Sequence, residues 1–451
     1  MDLLEKIVSL AKRRGFVYPG SEIYGGFAGT YDFGHYGVAL RHNIVEMWKR
    51  DLQKHGEIAF IESSIFSAPK VWEASGHVSG FSDPLVICSA CHAKYRADHL
   101  LGSVGVAADE KMTEAELNVL FDAHRKDLKC QSCGKKNFGR VTAKSLLVTS
   151  TLGVFEEGDQ EVYLRGETAQ GIYINFKNVL NTGSYSVPFG IAQVGKVFRN
   201  EISPRQFLFR MREFEQMEMQ YFVHPRDAQK AYECWKKARM EYYTEVLGIA
   251  KEKLRWEQHK HLVFYAKDAW DIQYEFPFGW NELEGVHYRG DYDLSQHQKF
   301  SGADTTVYEE ETKERYTPHV VETSVGVERT ILALLCDAYS EDGKRVVMKF
   351  HPKIAPVKVA VFPLLANKPD LVKLARKIYD ELKQEFVVAW DDRGNIGKRY
   401  YAQDEIGTPF CITVDFDSLE KNDVTVRDRD TMKQERVKIQ ELKEYIQKRL
   451  E

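Results

Sequence analysis

The chain has 451 residues, too many for one compact core, so we expect two or three domains. Hydrophobic residues make up 43% and charged residues 29%, as in ordinary globular proteins, and the net charge of −4 excludes a uniformly basic nucleic-acid binder. A polyanionic partner would have to meet local basic patches. No apolar run approaches the roughly 18 residues of a membrane span, and the N-terminus lacks the apolar centre of a signal peptide, so we expect a cytosolic protein.

The N-terminal region is predicted to hold two helices separated by turns. The stretch "MDLLEKIVSLAKRRGF" places apolar residues at helical spacing, which favours an amphipathic helix. A glycine-rich stretch, "YPGSEIYGGFAGTYDFGHYG", predicts turns, and a second helix follows from about Val38 to His55. After it, Pro69 in "ESSIFSAPKVWEASGH" is predicted to end an extended segment.

Four of the seven cysteines form two short pairs, Cys88 with Cys91 in "CSAC" and Cys130 with Cys133 in "CQSC". In a reducing compartment each pair brings two thiolates to one ion, so we interpret residues 88 to 145 as an insertion that holds tetrahedral Zn²⁺. The stretch "TEAELNVLFDAHRKDL" predicts a helix between the pairs. The alternatives are four reduced thiols, or a site in which one cysteine is replaced by a histidine: His92, His99 or His124.

Residues 163 to 221 are predicted as mostly short strands around one helix, "ETAQGIYINFKNVL". Within them, "VFRNEISPRQFLFRMREF" has the two-residue period of two strands, joined by a loop of several residues at a Ser-Pro pair. This period would place the charged residues of both strands side by side on one sheet surface, Arg199 and Glu201 with Arg210, Arg212 and Glu218. Taken alone, such charges are explained as well by a solvated or ion-paired surface as by a functional site.

The remaining chain changes character near "FHPKIAPVKVAVFPL", where prolines flank an apolar strand. Before this point we predict a charged helix in "DAQKAYECWKKARMEYYTEVLG", strands to about Val321, and an amphipathic helix in "GVERTILALLCDAY". After it, strands alternate with helices and lead to a strand hairpin and a last helix ending at Leu450. We therefore predict an α+β fold, with an antiparallel sheet flanked by helices in residues 1–350 and a small α/β domain in residues 351–451.

Three segments, in this order, resemble the motifs of class II aminoacyl-tRNA synthetases: the segment at Pro69, the arginine-rich hairpin, and "SVGVER" opening a helix. Ser324 stands in place of the first glycine of that third motif. The stretches "RGETAQGI", "EFEQMEMQYF" and "GWNELEGVHYRGDYDLSQH" are similar to the bacterial homodimeric glycyl-tRNA synthetases. The tail, with "DDRGNIGKRYYAQDEIGTPF", resembles the anticodon-binding domain of the glycine, histidine, proline and threonine enzymes. The resemblance implies a homodimer that attaches glycine to tRNA(Gly) through a glycyl-adenylate.

The same resemblance implies a site for ATP with Mg²⁺. Arg199 would hold the α-phosphate, Phe214 would stack under adenine, and Arg329 would cover the other side of ATP or reach its γ-phosphate. Arg199, Glu201 and Arg329 form the implied catalytic set, and Glu282 is the expected Mg²⁺ ligand. The implied ATP-binding residues are Arg199, Asn200, Glu201, Phe209, Arg210, Met211, Arg212, Glu213, Phe214, Glu282, Leu283, Gly326, Val327, Glu328 and Arg329.

A glycine site is implied beside it. The resemblance places carboxylates around the glycine ammonium and offers Arg289 and Arg96 for its carboxylate, although ion pairing among these groups would explain them structurally. Where the family usually has proline before "ETAQG", this chain has Gly166, which replaces a fixed φ with a permissive one. The implied substrate-binding residues are Arg96, Glu167, Phe214, Glu215, Gln216, Met217, Glu218, Arg289, Glu322, Thr323, Ser324, Val325 and Gly326.

In the tail, an RNA loop has five candidate contacts, because cations bind phosphates and aromatic rings stack on splayed bases: Arg393, Lys398, Arg399, Tyr400 and Tyr401. A solvated basic loop is the alternative. Two other functions fit the same motifs. One is a non-catalytic relative, such as a DNA polymerase accessory subunit, which we would expect to have lost the motif arginines and acids. The other is a class II synthetase for another amino acid. No membrane partner is expected.

Overall fold

The computed structural model describes residues 2–108, 112–153, 160–259, 262, 266–343 and 345–450. The first part of the chain contains α1 (Leu3–Arg14), β1 (Val17–Pro19), β2 (Tyr31–Phe33), α2 (His35–His55), β3 (Ile58–Phe60), β4 (Phe66–Ser67), α3 (Pro69–Ala74) and α4 (His77–Gly80). The first predicted helix is confirmed, with a capping box between Asp2 and Glu5 at its start and left-handed Gly15 at its end. The second begins at His35, earlier than expected.

A small lobe follows, formed by β5 (Ser82–Ile87), β6 (Lys94–Arg96), α5 (Ala97–Gly102), α6 (Glu114–His124) and β7 (Thr142–Ser145). The strand β5 pairs with both β6 and β7, and the lobe has its own apolar cluster, which includes Leu101, Phe121 and Phe138. The helix predicted between the cysteine pairs is confirmed as α6, which Thr113 and Glu116 begin with a capping box.

The central part of the chain contains β8 (Val148–Leu152), β9 (Gln160–Leu164), α7 (Ala169–Thr182), β10 (Phe189–Phe198), β11 (Glu213–Val223), α8 (Ala228–Glu241), β12 (Leu254–Gln258), β13 (Asp268–Phe276), β14 (Gly279–Gly290), α9 (Tyr292–Ser301), β15 (Val307–Glu309), β16 (Glu314–Tyr316), β17 (His319–Gly326), α10 (Val327–Ala338), β18 (Tyr339–Asp342) and β19 (Arg345–Met348). The predicted helices before and after the hairpin are confirmed as α7 and α8.

Seven strands form the main sheet in the order β12-β13-β14-β17-β11-β10-β3. Every neighbouring pair is antiparallel except β10 with β3, so the predicted antiparallel sheet is confirmed. Alternation along β11 sends Met217 and Met219 into the apolar core with α10. Gln216, Glu218 and Gln220 therefore face the other side of the sheet. The helix α10 was expected to be amphipathic but is buried on nearly all sides.

The last part of the chain contains β20 (Val359–Pro363), α11 (Pro369–Leu382), β21 (Val388–Trp390), α12 (Ile396–Ile406), β22 (Phe410–Val414), α13 (Phe416–Lys421), β23 (Asp423–Asp428), β24 (Gln434–Lys438) and α14 (Leu442–Leu450). Its five strands have the order β21-β20-β22-β23-β24 and enclose a separate apolar cluster. The predicted alternation of strands and helices is confirmed, and β22 and α13 add a unit that the prediction lacked. Within the ranges described above, no helix is both long and apolar enough to cross a membrane.

Buried charges join this C-terminal part to the rest of the molecule. Asp404 on α12 accepts from Arg345 Nη1 of β19 at 3.2 Å, and both its oxygens accept from Arg427 of β23, at 2.9 and 3.0 Å. Arg429 also donates to the backbone carbonyl of Phe350 at 2.9 Å. The side chains of Asp404, Arg345, Arg427 and Arg429 are all buried, so the junction is a packed, hydrogen-bonded seam.

Two predictions about the central part were wrong. The strands of the arginine-rich hairpin end at Phe198 and resume at Glu213, so the charged residues at 199, 201, 210 and 212 lie in the connection and not on the sheet face. In addition, the region predicted to contain only strands up to about Val321 also contains the helix α9. The connection is irregular because Gln206 and Phe207 have positive φ and a short 3₁₀ turn spans Phe207–Phe209.

Candidate active site

A cleft of about 430 Å³, here called the central cleft, opens on the polar face of the main sheet. Most residues expected to bind ATP or substrate line it: Glu167, Arg199, Glu201, Phe209, Arg210, Met211, Phe214, Gln216, Glu218, Glu282, Arg289, Glu322, Ser324, Val325, Gly326, Glu328 and Arg329. They come from the loop before α7, the β10–β11 connection, β11, β14, β17 and the start of α10. The antiparallel pairing of these strands is what brings such distant segments together.

One part of the cleft is cationic and aromatic. The Arg199 guanidinium lies 5.1 Å from the Phe81 ring centroid and 5.3 Å from that of Phe214, and its Nε donates to the Gly166 carbonyl at 3.1 Å. Arg199 and both rings line the central cleft, so this guanidinium is available to an anionic ligand group. Arg210 lies 3.7 Å from the Glu201 carboxylate.

Arg329 occupies the other side of this part. Its Nη1 forms an ion pair with Glu282 Oε1 at 2.8 Å and donates to the Glu282 carbonyl at 3.2 Å. Its guanidinium also lies 4.5 Å from the Phe209 ring centroid. Arg199 and Arg329 are thus each held against an aromatic ring at the cleft, as cation–π contacts allow.

The opposite part of the cleft is acidic. Glu218 Oε1 accepts from the Ser324 hydroxyl at 2.7 Å, and its Oε2 accepts from the Thr168 backbone N–H at 2.9 Å and from the Thr168 hydroxyl. Burial, together with the nearby charges of Glu167 and Glu322, raises the pKa of Glu218 to about 7. This carboxyl is therefore poised to gain or lose its proton near neutral pH.

Glu167 and Glu322 are buried beside Glu218 but are held ionised. Burial opposes the charge of Glu167, but His77, whose Nε2 lies 3.2 Å away, outweighs it together with Arg289 and Gln170, and the pKa of Glu167 is well below its usual range. Burial also opposes the charge of Glu322, but Arg289 and His287 lower the pKa of that carboxyl. His287 Nδ1 lies 2.9 Å from Glu322 Oε2, and the carboxylates of Asp271 and Glu322 raise the pKa of His287 to about 9 against the effect of burial.

Arg289 is held by acids on both sides. Its Nε and Nη2 donate to the Asp293 carboxylate at 2.8 and 3.0 Å, and its Nη1 donates to Glu322 at 3.1 Å. Asp293 lies on α9, the helix that the sequence prediction missed. The arginine expected to bind the glycine carboxylate therefore also fixes the position of a glutamate expected to bind the ammonium.

A second carboxyl with a raised pKa lies at the start of α10. Burial raises the pKa of Glu328 to about 7, although its Oε2 accepts from the Glu215 backbone N–H at 2.9 Å. Its Oε1 is buried and has no hydrogen-bond partner among the described residues. Such an orphaned carboxylate oxygen in a cleft fits a bound cation or a polar ligand group.

Several residues of the predicted set lie outside the cleft lining: Arg96, Asn200, Arg212, Glu213, Glu215, Met217, Leu283, Thr323 and Val327. Arg212 donates to the carbonyls of Glu201 and Ala28, so it holds the hairpin connection in place. Arg96 lies in the small lobe, where Asp83 and Asp98 bind its guanidinium. Met217 and Leu283 are core residues, because the strand alternation points their side chains away from the cleft.

The structure also adds residues that the sequence did not single out. His77, Phe81 and His287 line the central cleft. Isolated histidines carry no sequence signal, and His77 becomes notable only because α4 places it on Glu167. Gly285 lines the cleft as well, beside His287.

The four paired cysteines meet at one point in the small lobe. Cys88 Sγ lies 3.7 Å from Cys133 Sγ, and Cys91 Sγ lies 3.5 Å from Cys130 Sγ. Four thiolates at about 2.3 Å from one tetrahedral zinc ion would be roughly 3.8 Å apart, so this donor set fits Zn²⁺. Among the described residues, the cluster contains no histidine, and the alternative ligands His92, His99 and His124 lie outside it.

One of the five predicted RNA contacts is wrong, and a second, Tyr400, is half-buried by contacts within its own domain. Arg399 is buried and donates to the carbonyls of Pro363, Asp392, Arg393 and Gly394, so it braces the loop before α12. Tyr400 bonds to the Thr413 hydroxyl at 2.6 Å and packs inward against Phe362. The other three candidates are exposed on this surface: Arg393, Lys398 and Tyr401.

Comparisons with known proteins agree with this architecture. Residues 151–338 match the family model described as the tRNA synthetase class II core domain (G, H, P, S and T), and residues 358–449 match the anticodon binding domain. The glycine–tRNA ligase of Borrelia garinii subsp. bavariensis is 47% identical over 98% of this chain and 96% of its own length. That of Lachnospira eligens is 47% identical over 98% of both chains, and that of Chlorobaculum tepidum is 46% identical over 99% of this chain and its full length.

Proposed function

Because this chain belongs to the glycine–tRNA ligase family, we propose that its central cleft joins glycine to ATP and then transfers the glycyl group to tRNA. The observation that carries this proposal is the combination of arginines on aromatic rings and buried carboxylates in one cleft. An aminoacyl-adenylate presents the matching groups, an adenine, a phosphate and an ammonium. The rival reading as a non-catalytic relative has no support, since Arg199, Glu201, Glu322 and Arg329 are all present.

The length of the proposed site can be estimated from positions along the strand β11. Phe214 and Glu218 lie on the same face of this strand four residues apart, which is roughly 13 Å at about 3.3 Å per residue. We propose that adenine stacks on Phe214 and that the glycine ammonium binds the carboxylates of Glu218, Glu167 and Glu322. The phosphate would then lie between them, beside Arg199.

The arginines supply the chemistry of the adenylation step. Attack of the glycine carboxylate on the α-phosphate builds negative charge on phosphorus, which Arg199 stabilises with its planar fork. Arg329 and Arg210 neutralise the departing pyrophosphate from the two sides of the cleft. Catalysis by such positioned charges needs no general base, because the nucleophile is already a carboxylate.

Mg²⁺ would bind to Glu282 and Glu328. Glu282 is half-exposed at the rim, and Glu328 offers the orphaned oxygen described above. When bound, the ion supplies charge neutralisation on the phosphates. Arg329 and Glu282 form an ion pair with each other, so we expect binding to exchange this pair for contacts of Arg329 with ATP and of Glu282 with the metal.

Further parts of the assignment are also proposals. We assign residues 1–350 to catalysis, with a four-cysteine zinc insertion at 88–145, and residues 351–451 to the tRNA(Gly) anticodon, where Arg393, Lys398 and Tyr401 are exposed. We place the enzyme in the cytoplasm. We expect a homodimer, as in this class of synthetase. The apolar residues Ile23 and Tyr24 are 89% and 87% exposed in the single chain, which is consistent with their being covered by a second subunit. Sedimentation should show a dimer that persists on dilution.

The test of the function is pyrophosphate exchange with ATP, Mg²⁺ and single amino acids. We expect exchange with glycine and far weaker exchange with alanine, serine, proline and threonine. Exchange with none of them would support the non-catalytic relative. Stronger exchange with another amino acid would assign the site to a different class II synthetase.

A further inference from the structure

The polar face of the main sheet continues past the glycine site to the outer strands. Across β14, His287 pairs in register with Glu322 of β17, and Gly285 pairs with both Ser324 of β17 and Asp271 of β13. His259 follows directly after β12, where its backbone N–H donates to the Ala269 carbonyl at 3.0 Å. Since residues two apart share a face, His259, Asp271 and His287 point to one side of three adjacent strands.

The donor atoms of these three side chains converge. His259 Nε2 lies 2.9 Å from Asp271 Oδ2, His287 Nε2 lies 3.8 Å from Asp271 Oδ1, and all three residues place donor atoms within 4.8 Å of one another. Both Nε2 atoms are buried, and neither is aligned for a hydrogen bond with any described residue. Nitrogen and oxygen atoms that converge in this way are what ligands of one shared ion require, and a metal would displace any proton on the imidazoles.

A hydrogen bond on the far side fixes the orientation of His287. Its Nδ1 lies 2.9 Å from Glu322 Oε2, which leaves Nε2 to face Asp271. Metal-bound histidines almost always donate their second ring N–H to a carboxylate in this way. Glu322 is held in turn by Arg289 and by Gln220, whose Nε2 donates to it at 2.9 Å.

Space is kept open beside the cluster. A Cβ added at Gly285 would lie 2.9 Å from His287 Nε2 and 3.6 Å from Asp271 Oδ1. Gly285 does not have the left-handed backbone conformation that often requires glycine. We therefore attribute the glycine to the room that it leaves beside His287 and Asp271. The His259 side chain is 30% exposed, which gives an ion and its water ligands a route from solvent.

We propose that His259, Asp271 and His287 form a second metal site, which binds one divalent transition-metal ion, with zinc as the best-matched ion. Two imidazoles and one carboxylate, completed by water, are a usual ligand set for Zn²⁺ and its neighbours in the first transition row. The site contains no sulfur and lies on the main sheet, so it is chemically and spatially distinct from the four cysteines. Through His287 it positions Glu322, which makes it a support for the glycine site.

The test compares metal binding by full-length wild type and variants. Protein freed of metal with a chelator is titrated with Co²⁺, which gives strong thiolate charge-transfer absorption at the cysteine site and only weak d–d bands at a nitrogen–oxygen site. Zinc content after desalting is measured in parallel. We expect two ions per wild-type chain, and loss of only the thiolate-free ion in His259→Ala and Asp271→Asn. The matched control, His42→Ala on the exposed face of α2, should keep both.

Two outcomes would overturn the proposal. One is a single ion per wild-type chain, with cobalt spectra that His259→Ala leaves unchanged. The other is loss of the thiolate-free ion in His42→Ala as well, which would show adventitious binding. In the first case His287 would instead be a protonated bridge between Asp271 and Glu322.

A second readout tests the link to glycine, which rests on the proposed function. His259 does not line the central cleft, so His259→Ala should raise KM for glycine about 10-fold or more, as loss of outer contacts does in metal sites, with kcat little changed. Equal KM values in both proteins would remove the positioning role. If wild type shows no exchange at all, the proposed function fails, while the metal stoichiometry still decides the site.

Discussion

The Ser324 hydroxyl donates to Glu218 Oε1 at 2.7 Å across two paired strands. Ser324 occupies the place where the third class II motif has its first glycine, so this chain adds a hydrogen-bond donor at the proposed glycine site. The hydrogen bond favours the ionised form of Glu218, whereas burial and the neighbouring carboxylates favour the protonated form. If the glycine ammonium binds here as proposed, the balance between these effects sets how strongly Glu218 attracts it.

We expect Glu218→Gln to weaken glycine binding. Hydrogen bonds to charged groups contribute about 1.5–3 kcal/mol, so KM for glycine should rise roughly 10- to 150-fold, with KM for ATP little changed. Pyrophosphate exchange at several glycine concentrations measures this. Glu233→Gln, on the exposed face of α8, is the control. Full glycine affinity in Glu218→Gln would remove this carboxylate from the ammonium site.

Glycine affinity should depend on pH in a defined direction. The pKa of Glu218 is raised to about 7, and the ammonium binds its ionised form. Below pH 7 a proton must leave before glycine binds, so 1/KM should fall about tenfold per pH unit as the pH decreases. Above pH 7 it should level off. The same measurement on Glu218→Gln should give a flat profile, and an identical slope in that variant would assign the titration elsewhere.

Arg199→Ala should slow adenylate formation strongly. Removing one positioned donor to a developing oxyanion typically costs about 100- to 1,000-fold in kcat, and Arg199 is the cation expected at the α-phosphate. Arg199→Lys should recover little, because an ammonium does not provide the planar fork. Exchange kinetics at saturating ATP measure both. An unchanged kcat in a folded Arg199→Ala protein would contradict the assignment.

Cys130→Ser should lose the zinc of the small lobe. Each of the four sulfurs lies in one cluster, and three thiolates leave an open position that binds the ion more weakly. Metal analysis of purified protein should fall by about one ion per chain. Cys234→Ser changes an exposed cysteine on α8 and should leave the metal content unchanged. Equal metal contents in the two variants would remove the cysteine site.

Ser324→Gly should relax the selection of glycine over alanine. A methyl group in the wild-type site would press against the Ser324–Glu218 pair, and overpacking typically costs about 1–3 kcal/mol. Removing the hydroxymethyl group relieves that pressure, so the ratio of kcat/KM for alanine to that for glycine should rise roughly 5- to 100-fold. Exchange assays with both amino acids give the ratio. A ratio equal to that of wild type would place the selecting contact elsewhere.

The sequence predicted those parts of the fold that depend on neighbouring residues. The helix α1 is capped by Asp2 and ends at Gly15, and the spacing within the cysteine pairs was enough to predict their cluster. The two-residue period failed between Arg199 and Arg212, where Gln206 and Phe207 have a positive φ that strand residues do not adopt. A hydrophobic period does not reveal such backbone angles.

For the candidate site, the sequence predicted which motifs take part but not which side chains within them face the cleft. Arg199 and Arg212 look alike in the sequence, yet one faces the cleft and the other binds the carbonyls of Glu201 and Ala28. Arg399 failed for the same reason, since four carbonyl acceptors bury it. The role of His287 depends on its pairing with Glu322 on another strand, and that of Asp293 on the helix α9, which the sequence pattern did not predict. Neither contact could be predicted from the sequence.

The burial of Asp404 between Arg345 and Arg427 limits how this protein can be recombined. A chimera that takes everything after residue 350 from a relative keeps Arg345 of β19 but receives a foreign partner for it. If that partner lacks the carboxylate, a guanidinium is left in the seam without its counter-charge, and breaking a buried pair in this way costs about 3–5 kcal/mol. Grafting a new anticodon specificity onto this catalytic half therefore requires Asp404 and Arg427 to travel with the graft.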